Sequence, residues 1–508
     1  MPSDGAPSIP ASYRDQVALC RAVGQWTIEA VGALLADGHG ETARLSGPIL
    51  YGAIYRLLRS VQMPGVPITG IGAPPPTPEV LHRWVGAAMR LPSPSAPPVE
   101  RLARRLARQA TLGGLPGLMR QLPGSRPQIT LTSHNTVARR LVTATGARVR
   151  FQPAEGLVAP RRAPLNRAAE GAPTTATPRS RSLAAGLGPL LARHLPQAPD
   201  DLEARAAALI AQVLAIAEAQ VEVMAGLALP ERPLWSTGIG GWGGRLIDLE
   251  ASRRGLPVTR FSHGGGYGMV NEDVALALSE LAVAERFVLA TPGLARSAGQ
   301  DLETAAPWCL RGRPIDQVLV GGQGDPVFEQ IPFRPRRAGQ RPRVLLMLSG
   351  LFEGFLHMPP VLPADLARAW RARLIALLES LDIELLIRPH PEDRAAFEEM
   401  RQGQPGRVLD GPFIECLDKA DVLLFEWSMS TAFWQALCLG RPVVLIDLPG
   451  TPFLPARRDD LAQVCRVLEP GFDARGLPTI DAEALDDALR RPLDGDPARP
   501  RALFVPSS

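Results

Sequence analysis

Lysine is almost absent from this sequence. Lys419 is the single lysine among 55 basic residues, and all the others are arginine. With 51 acidic residues the net charge is only +4, which is too small to indicate a nucleic-acid partner. The arginine bias is as readily a consequence of genome composition as of phosphate binding, so it identifies no ligand by itself.

Cysteine is scarce and widely spaced. No two of the five cysteines form a Cys-x-x-Cys pair, so the sequence predicts neither a zinc site nor a disulfide scaffold. This usage is typical of a reducing compartment, and we expect the protein to be cytoplasmic. The five residues are Cys20, Cys309, Cys416, Cys438 and Cys465.

Long apolar runs are also missing. The amino terminus has neither a basic start nor an apolar segment, so no signal peptide is predicted. No stretch offers about 18 uninterrupted apolar residues, so no transmembrane helix is predicted. The most apolar run, Ala206–Leu227, is interrupted by polar residues such as Gln212 and Glu218, as in an ordinary amphipathic helix.

The chain of 508 residues is long enough for two or three domains. Helical spacing of apolar residues prevails in residues 1–120. Strand and turn patterns follow in 121–330 and again in 341–492, and each range predicts a Rossmann-like α/β domain. Residues 153–182, which are rich in Pro, Ala, Arg and Thr, are interpreted as a long surface loop that begins an insertion of about 153–200, and a helix is predicted at Leu183–His194. The tail after residue 492 is predicted to be disordered.

The most informative stretch runs from Leu385 to Leu448. Its first part is an apolar strand, Ile383–Ile387, which stops at Arg388-Pro389-His390-Pro391. Proline cannot donate a hydrogen bond to a neighbouring strand, so the strand is expected to end there. Arg388 and His390 therefore lie at the carboxyl end of a strand.

The second part of this stretch predicts a βαβ unit, with strands Asp421–Phe425 and Val443–Asp447 on either side of a short helix. A helix amino terminus carries unpaired N–H groups, which suit a phosphate. Carboxyl ends of parallel strands face one crevice, so the sequence predicts a nucleotide pocket here. The candidate residues, besides Arg388 and His390, are Ser349 at the end of an earlier strand and Glu426, Ser428, Ser430 and Thr431 at the helix start.

The first predicted α/β domain has a comparable strand end. The strand Val258–Ser262 leads into His263-Gly264-Gly265-Gly266-Tyr267-Gly268. Glycine lets backbone N–H groups approach an anion or a sugar closely, so Gly264 and Gly265 are candidate contacts beside His263. The upstream run Gly-Ile-Gly-Gly-Trp-Gly-Gly is not a dinucleotide fingerprint, because no acidic residue ends the next strand.

These motifs resemble those of GT-B glycosyltransferases of the bacterial surface and capsule polysaccharide type. The segment Arg388-Pro389-His390-Pro391 is similar to the basic-x-His-Pro motif of that group. The two segments Asp421–Thr431 and Ala436–Val444 resemble its nucleotide-binding unit, and His263–Gly268 resembles its His-Gly-Gly-x-Tyr-Gly turn. The paired serines of the group appear here as Ser428-Met429-Ser430, which leaves open which hydroxyl meets phosphate.

The resemblance implies two Rossmann-like domains facing a crevice, with an extra helical amino-terminal region. It implies that Arg388, His390 and the serine and threonine hydroxyls hold the phosphates of a nucleotide sugar, which is a substrate, and that Glu426 accepts from a ribose hydroxyl. His263 would be the general base toward a glycan or lipid-linked glycan acceptor. No cofactor and no bound metal are expected. The basic helix Val99–Gln109 leaves two interpretations open, a solvated arginine face and peripheral association with the inner face of the cell membrane.

Several alternatives stay open. Within enzymes they are a CDP-glycerol-like polyol-phosphate transferase and a sugar-nucleotide 2-epimerase, although epimerases rely on acidic crevice residues that are not evident. A non-catalytic GT-B scaffold is the third. From the residues alone, His390 could simply cap a sheet edge, and His263 and Glu426 could be solvated charges. Glu353 and His357, in a loop after a strand, are weaker candidates.

Overall fold

The computed structural model describes residues 13–62, 78–93, 97–112, 128–133, 135–237, 241–264, 266–271, 273–333, 341–350, 364–390, 394, 397–398, 407–411, 413–428, 430–448, 453–474, 476–491 and 499–505. Within them lie two parallel sheets of six strands each, with helices around both. This arrangement confirms the predicted α/β fold with two Rossmann-like halves.

The first sheet has the order β2-β1-β3-β4-β5-β6. The apolar strands are short and nearly all buried, as parallel strands covered by helices must be. Its strands are β1 Ile129–Leu131, β2 Val149–Phe151, β3 Leu234–Thr237, β4 Val258–Phe261, β5 Arg286–Leu289 and β6 Leu319–Gly321.

The second sheet has the order β12-β11-β10-β7-β8-β9. A two-stranded antiparallel ribbon, β13 Gly471–Phe472 and β14 Pro478–Thr479, follows it. The strands of the second sheet itself are β7 Arg343–Met347, β8 Glu384–Arg388, β9 Arg407–Val408, β10 Val422–Phe425, β11 Val443–Ile446 and β12 Arg466–Leu468.

Each sheet has one point where the winding of the chain reverses. In the first sheet it lies between β1 and β3, and in the second between β7 and β10. In open parallel sheets, ligands bind outside the carboxyl ends of the strands at this switch point. The candidate residues that follow β7 and β10 are therefore at the expected location of a ligand site.

The helices of the first half pack around its sheet and around the amino-terminal helices. They are Thr136–Thr145, Leu202–Met224, Trp242–Arg253, Asp273–Ala275, the π-helical Leu276–Leu281, Pro292–Ala305, the 3₁₀-helical Pro307–Leu310, Ile315–Val318 and Pro326–Glu329. The helices of the second half are Ala364–Ser380, Phe413–Leu417, Thr431–Leu437, Pro455–Ala462 and Ala482–Arg490.

The amino-terminal region is helical, as predicted. Its helices are Tyr13–Ala36, Gly40–Gln62, Pro78–Ala88 and Pro98–Thr111. The first two form an antiparallel hairpin, which packs against Leu202–Met224. Of the described helices, Leu202–Met224 alone is long and apolar enough to cross a membrane, but 61% of its most apolar window is buried inside the protein.

The insertion at about 153–200 differs from the prediction at residues 153–182, which are largely helical rather than a loop, and agrees with it at Leu183–His194. It forms helices with buried apolar side chains such as Leu165 and Leu187. Pro160, Pro164, Pro178 and Pro189 lie in the first turns of helices, where a missing N–H costs nothing. Pro178 follows a Thr177–Ser180 capping box in this way. The segments are Ala154–Val158, the 3₁₀-helical Ala159–Arg161, Arg162–Glu170, Pro178–Ala185 and Gly188–His194.

The carboxyl-terminal tail also differs, since residues 499–505 are ordered. The helix Arg499–Phe504 lies against the first half, where the Thr291 hydroxyl donates to the carbonyl of Leu503 over 2.8 Å. The ring of Phe504 stacks on Phe328 with centroids 4.2 Å apart and lies 6.0 Å from the ring of Trp434 in the second half. These stacked and neighbouring rings connect the two halves. The sequence of the tail alone could not predict this contact, because its partners are distant in the chain.

Candidate active site

The switch point of the second sheet is organised by a buried ion pair between Arg371 and Glu426. The Glu426 carboxylate follows β10 and is only 2% exposed. Its Oε1 accepts from Nε of Arg371 over 2.8 Å and from the backbone N–H and hydroxyl of Ser349 over 3.2 and 3.1 Å. Arg371 in turn donates to the carbonyl of Ser349 over 2.6 Å. The ends of β7 and β10 are thus locked together.

This arrangement narrows the role predicted for Glu426. Its Oε1 is fully used by protein groups, and its Oε2 has no hydrogen-bond partner within the part of the chain that the structure describes. A ribose contact therefore remains a prediction for Oε2 alone. Arg371 was missed by the sequence analysis, because nothing in the helix Ala364–Ser380 distinguishes it from neighbouring arginines.

Arg388 and His390 lie at the end of β8, as predicted. The strand ends at Arg388, whose Nη2 donates to the carbonyl of Gly411 over 3.2 Å. Its guanidinium carbon lies 5.8 Å from the centre of the Phe413 ring. His390 is half-buried. The contacts orient the Arg388 guanidinium while leaving it partly open to an anion.

The helix that follows β10 begins at Thr431. Ser430 is its N-cap, and the Ser430 hydroxyl accepts from the backbone N–H of Ala432 over 3.2 Å. Ser428 is almost buried, with 4% exposed. Because the Ser430 hydroxyl already caps this helix, Ser428 and Thr431 are the better candidates for the predicted phosphate contacts.

The switch point of the first sheet is closed by hydroxyl contacts. The Ser133 hydroxyl, after β1, accepts from the backbone N–H of Thr237, at the end of β3, over 2.7 Å. The Asn135 side chain caps the next helix and donates to the carbonyl of Ser262 over 2.7 Å. The ends of β1, β3 and β4 are therefore fixed to one another beside His263.

His263 lies just beyond β4 with its side chain exposed. A buried carboxylate, Asp325, lies near enough for charge interaction with it. Burial raises the pKa of Asp325, while a hydrogen bond from Thr136 and the charge of His263 act in the lowering direction. Asp325 also caps the helix Pro326–Glu329 by accepting from the N–H of Val327. The sequence did carry a signal for Asp325, a Gly-Asp-Pro turn after a strand.

A buried charge network supports the turn after His263. Arg260 on β4 donates from Nε to Asp248 over 2.7 Å and from Nη1 to Glu280 over 3.0 Å. The Tyr267 hydroxyl donates to the other oxygen of Glu280 over 3.3 Å. Glu280 belongs to the π-helical turn Leu276–Leu281, an irregularity that is frequent near functional sites. The network fixes the base of the His263–Gly268 turn.

The turn after β4 in the first half lies directly against the start of the helix after β10 in the second half. Gly264 has a φ of +84°, and a Cβ atom built on it would lie only 2.6 Å from Oγ1 of Thr431. Close by, the backbone N–H of Leu454 donates to the carbonyl of Met269 over 3.0 Å, and Val270 bridges Phe453. The His263 turn and the helix start of the second half therefore line the same crevice.

One acidic residue at this edge was not singled out from the sequence. Asp447 follows β11, and burial raises its pKa to about 6, with Arg458 lowering and Glu469 raising it. It is therefore a carboxyl group whose charge changes near neutral pH.

Some predicted positions lie outside the described residues. These are Gly265, Met429, Pro391, Glu353 and His357. Among the residues that are described, no group of three or more His, Cys, Asp or Glu side chains is arranged to hold a metal ion. Metal-independent chemistry stays a prediction.

Comparison with known proteins gives similarity of fold only. No protein-family model matches the chain, and no curated protein matches it significantly. Among solved structures, the glycosyltransferase of kitacinnamycin is 16% identical with a TM-score of 0.33, covering 74% of this chain and 93% of its own.

Two further solved structures have comparable scores. The spinosyn rhamnosyltransferase SpnG in complex with thymidine diphosphate is 14% identical with a TM-score of 0.32, covering 74% of this chain and 93% of its own. A UDP-glucosyltransferase from Polygonum tinctorium is 13% identical with a TM-score of 0.34, covering 74% and 91%. At this level of similarity, the fold assignment depends on the two parallel sheets themselves.

Proposed function

We propose that this protein is a metal-independent glycosyltransferase. It transfers a sugar from a nucleotide-activated donor to a cell-surface glycan or lipid-linked glycan acceptor. The donor lies at the switch point of the second sheet, and the acceptor enters from the side of His263. The contact between Gly264 and Thr431 carries the proposal, since it brings the acceptor-side turn and the donor-side helix start to one crevice.

The donor side supplies groups suited to a nucleotide diphosphate. Arg388 provides a charged, planar donor toward phosphate oxygens, and Ser428 and Thr431 provide hydroxyls. The buried Arg371–Glu426 pair keeps the ends of β7 and β10 at a fixed spacing. Charge on the leaving diphosphate is thus met by fixed protein donors, as electrostatic stabilisation requires.

The acceptor side supplies a base. In the transfer step the acceptor oxygen forms a bond to the anomeric carbon, and the bond from that carbon to the diphosphate oxygen breaks. The diphosphate leaves with the bonding electron pair, and the hydroxyl proton passes to the imidazole of His263. The nearby Asp325 carboxylate stabilises the imidazolium that forms, which is a positioning and electrostatic role.

We also propose that the protein works in the cytoplasm at the inner face of the membrane. The helix Pro98–Thr111 carries four arginines and one glutamate. Val99, Leu102 and Leu106, at helical spacing, are 79%, 46% and 37% exposed. They are three of the five exposed large apolar side chains of the described residues. An exposed apolar stripe on a basic helix suits an anionic lipid surface.

Thermal unfolding in the presence of UDP, CDP, CMP, GDP and thymidine diphosphate tests the donor assignment. We expect one nucleotide to raise the melting temperature clearly, because it binds only the folded state. Arg388→Gln should remove most of this rise. Arg205→Gln, at a partly exposed arginine of the first half that pairs with Asp201, is the matched control and should keep it. A chain that responds to none of the nucleotides would not be a transferase of this kind.

A further inference from the structure

Arg457, in the helix Pro455–Ala462 of the second half, forms hydrogen bonds with the first half. It donates from Nη2 to the hydroxyl oxygen of Ser297 over 2.6 Å and from Nε to the same oxygen over 3.2 Å. Its Nη1 donates to the Asp460 carboxylate over 2.8 Å, so each guanidinium nitrogen has a protein partner. The Ser297 hydroxyl itself donates to the carbonyl of Gly293 over 3.1 Å. The rigid guanidinium fork therefore fixes one nearly buried oxygen atom of the first half.

The helix that carries Ser297, Pro292–Ala305, is in direct contact with the end of the His263–Gly268 turn. Gly268 has a φ of +83°, and a Cβ atom built on it would lie only 2.4 Å from the carbonyl oxygen of Leu294. Leu294 precedes Ser297 by about one turn of the same helix. Because the two backbones touch without room for a side chain, a displacement of this helix displaces the turn.

The residues just before Arg457 contact the chain just after the same turn. The backbone N–H of Leu454 donates to the carbonyl of Met269 over 3.0 Å. Phe453 pairs with Val270 in an isolated antiparallel bridge. One stretch of the second half therefore contacts the end of the turn directly, and it contacts the helix behind the turn through Arg457.

The turn depends on such contacts because it is rich in glycine. Gly264 and Gly268 both have a positive φ, of +84° and +83°, and glycine restricts the backbone less than any other residue. The His263 side chain is exposed, so packing of the imidazole does not fix its position. The contacts of the neighbouring residues therefore determine where the imidazole lies.

We propose that Arg457 is a positioning residue for the transfer reaction. Through Ser297 and the helix behind the turn, it holds His263 at its place opposite the start of the donor-side helix. Arg457 has this role only if the protein is the proposed transferase, because it acts through the base of that reaction. It binds no substrate, since its guanidinium nitrogens are already used by protein groups. A misplacement of about 1 Å at a reacting group is enough to reduce a rate strongly.

Hydrogen exchange of the full-length protein tests the contact without reference to any reaction. The backbone N–H groups of Met269 and Val270 both donate to the carbonyl of Gly266, over 2.9 and 3.2 Å, so their exchange rates report how firmly the turn is held. We expect exchange at these two amides to become about tenfold faster in Arg457→Met. Ser297→Ala, a milder change that removes the same acceptor oxygen, should have a similar effect.

The second measurement is the release of nucleotide to water from a nucleotide sugar, well below the melting temperature of every variant. The probe is UDP-, CDP-, GDP- or thymidine-diphosphate-glucose, or CMP-N-acetylneuraminate, according to the nucleotide that stabilises the wild type. We expect kcat to fall about tenfold in Arg457→Met and in Ser297→Ala, with the nucleotide-induced rise in melting temperature unchanged. The double variant should lose no more than the larger single loss, because both changes break one contact. Arg457→Lys retains a single donor nitrogen, so its kcat should be intermediate.

Arg490→Met is the matched control, because Arg490 is a partly buried arginine whose contacts, to Asp486 and to the carbonyl of Asp382, stay within the second half. It should leave both the exchange rates and kcat as in the wild type. Unchanged exchange at Met269 and Val270 in Arg457→Met overturns the contact, and faster exchange with unchanged kcat overturns its role in the reaction. A wild type that neither responds to nucleotide nor releases it overturns the transferase function instead, while the exchange rates still decide whether Arg457 holds the turn.

Discussion

Gly264 and Thr431 approach each other so closely that no side chain fits at position 264. A Cβ atom there would lie 2.6 Å from Oγ1 of Thr431, and the backbone has a φ of +84°. Glycine is thus required both by conformation and by space. Because Gly264 follows His263, and Thr431 opens the helix at the donor side, their contact sets the width of the proposed site.

The substitution Gly264→Ala should therefore push the two halves apart locally. We expect transfer activity to fall at least tenfold and the melting temperature to fall with it, and part of the lost melting temperature to return in the double variant with Thr431→Ala, which removes the clashing oxygen. Gly255→Ala is the matched control. Gly255 has a similar φ of +72° but no neighbour within 4 Å, so it imposes only backbone strain of about 1 kcal/mol. Equal losses of activity in both variants would contradict a role for the contact.

His263→Ala should reduce the transfer rate by about 10²- to 10⁴-fold, the usual contribution of a general base. Nucleotide binding should be unchanged, because His263 belongs to the acceptor side. Asp325→Asn should act through His263 by lowering kcat with nucleotide binding unchanged, because it removes the charge that stabilises the imidazolium formed in the transfer step. His39→Ala, distant in sequence at the hairpin turn, is the control. Full activity of His263→Ala would refute the assignment of the base.

The sequence predicted the second half well because its signals are local. Prolines end β8, hydroxyls cap the helix after β10, and glycine ends that helix, so Arg388 and His390 could be assigned to a strand end from neighbouring residues alone. Arg371 could not be found in this way, since only the fold brings the middle of a helix under Glu426. Phe504 was missed for the same reason, because its partners, Phe328 and Trp434, are distant in sequence.

The Arg371–Glu426 pair offers a test that separates structure from binding. Either Arg371→Met or Glu426→Met leaves a buried charge alone and should cost about 3–5 kcal/mol of stability. The double variant should lose less than the sum, by more than about 1 kcal/mol. Chemical denaturation measures the cycle. If Glu426 also contacts a ribose hydroxyl, the double variant stays folded but binds nucleotide about tenfold less tightly. Additive losses of stability would exclude a direct pair.

Asp447 predicts how stability changes with pH. Its pKa rises from 3.8 to about 6 in the folded protein. The folded state therefore holds a proton that the unfolded state has lost, so this contribution to stability is complete below about pH 4 and falls as pH rises to about 6. Asp447→Asn should be more stable than the wild type above pH 6 by about 1–2 kcal/mol, after allowance for partial exposure. Melting temperatures between pH 4 and 8 check this, with Asp459→Asn at an exposed position as control. A pH-independent difference would contradict the buried carboxyl.

The exposed stripe of the helix Pro98–Thr111 predicts binding to anionic vesicles. The helix is anchored to the edge strand β2, because the Gln109 side chain donates to the carbonyl of Val149 over 2.9 Å and accepts from the N–H of Phe151 over 2.6 Å. Its apolar residues therefore face outward on a rigid support. Sedimentation with vesicles should show binding that falls with added salt and that weakens at least tenfold when Val99→Ser, Leu102→Gln and Leu106→Gln are combined.

Ile414→Gln is the matched control for that vesicle experiment, because Ile414 is 43% exposed, much like Leu102 at 46%, but lies in the other half of the protein. It should bind vesicles as the wild type does. Equal loss in both variants would mean that general surface hydrophobicity drives the binding. Binding to neutral and anionic vesicles alike would remove the role of the arginines. A wild type that stays in the supernatant with anionic vesicles at low salt would refute membrane association through this helix.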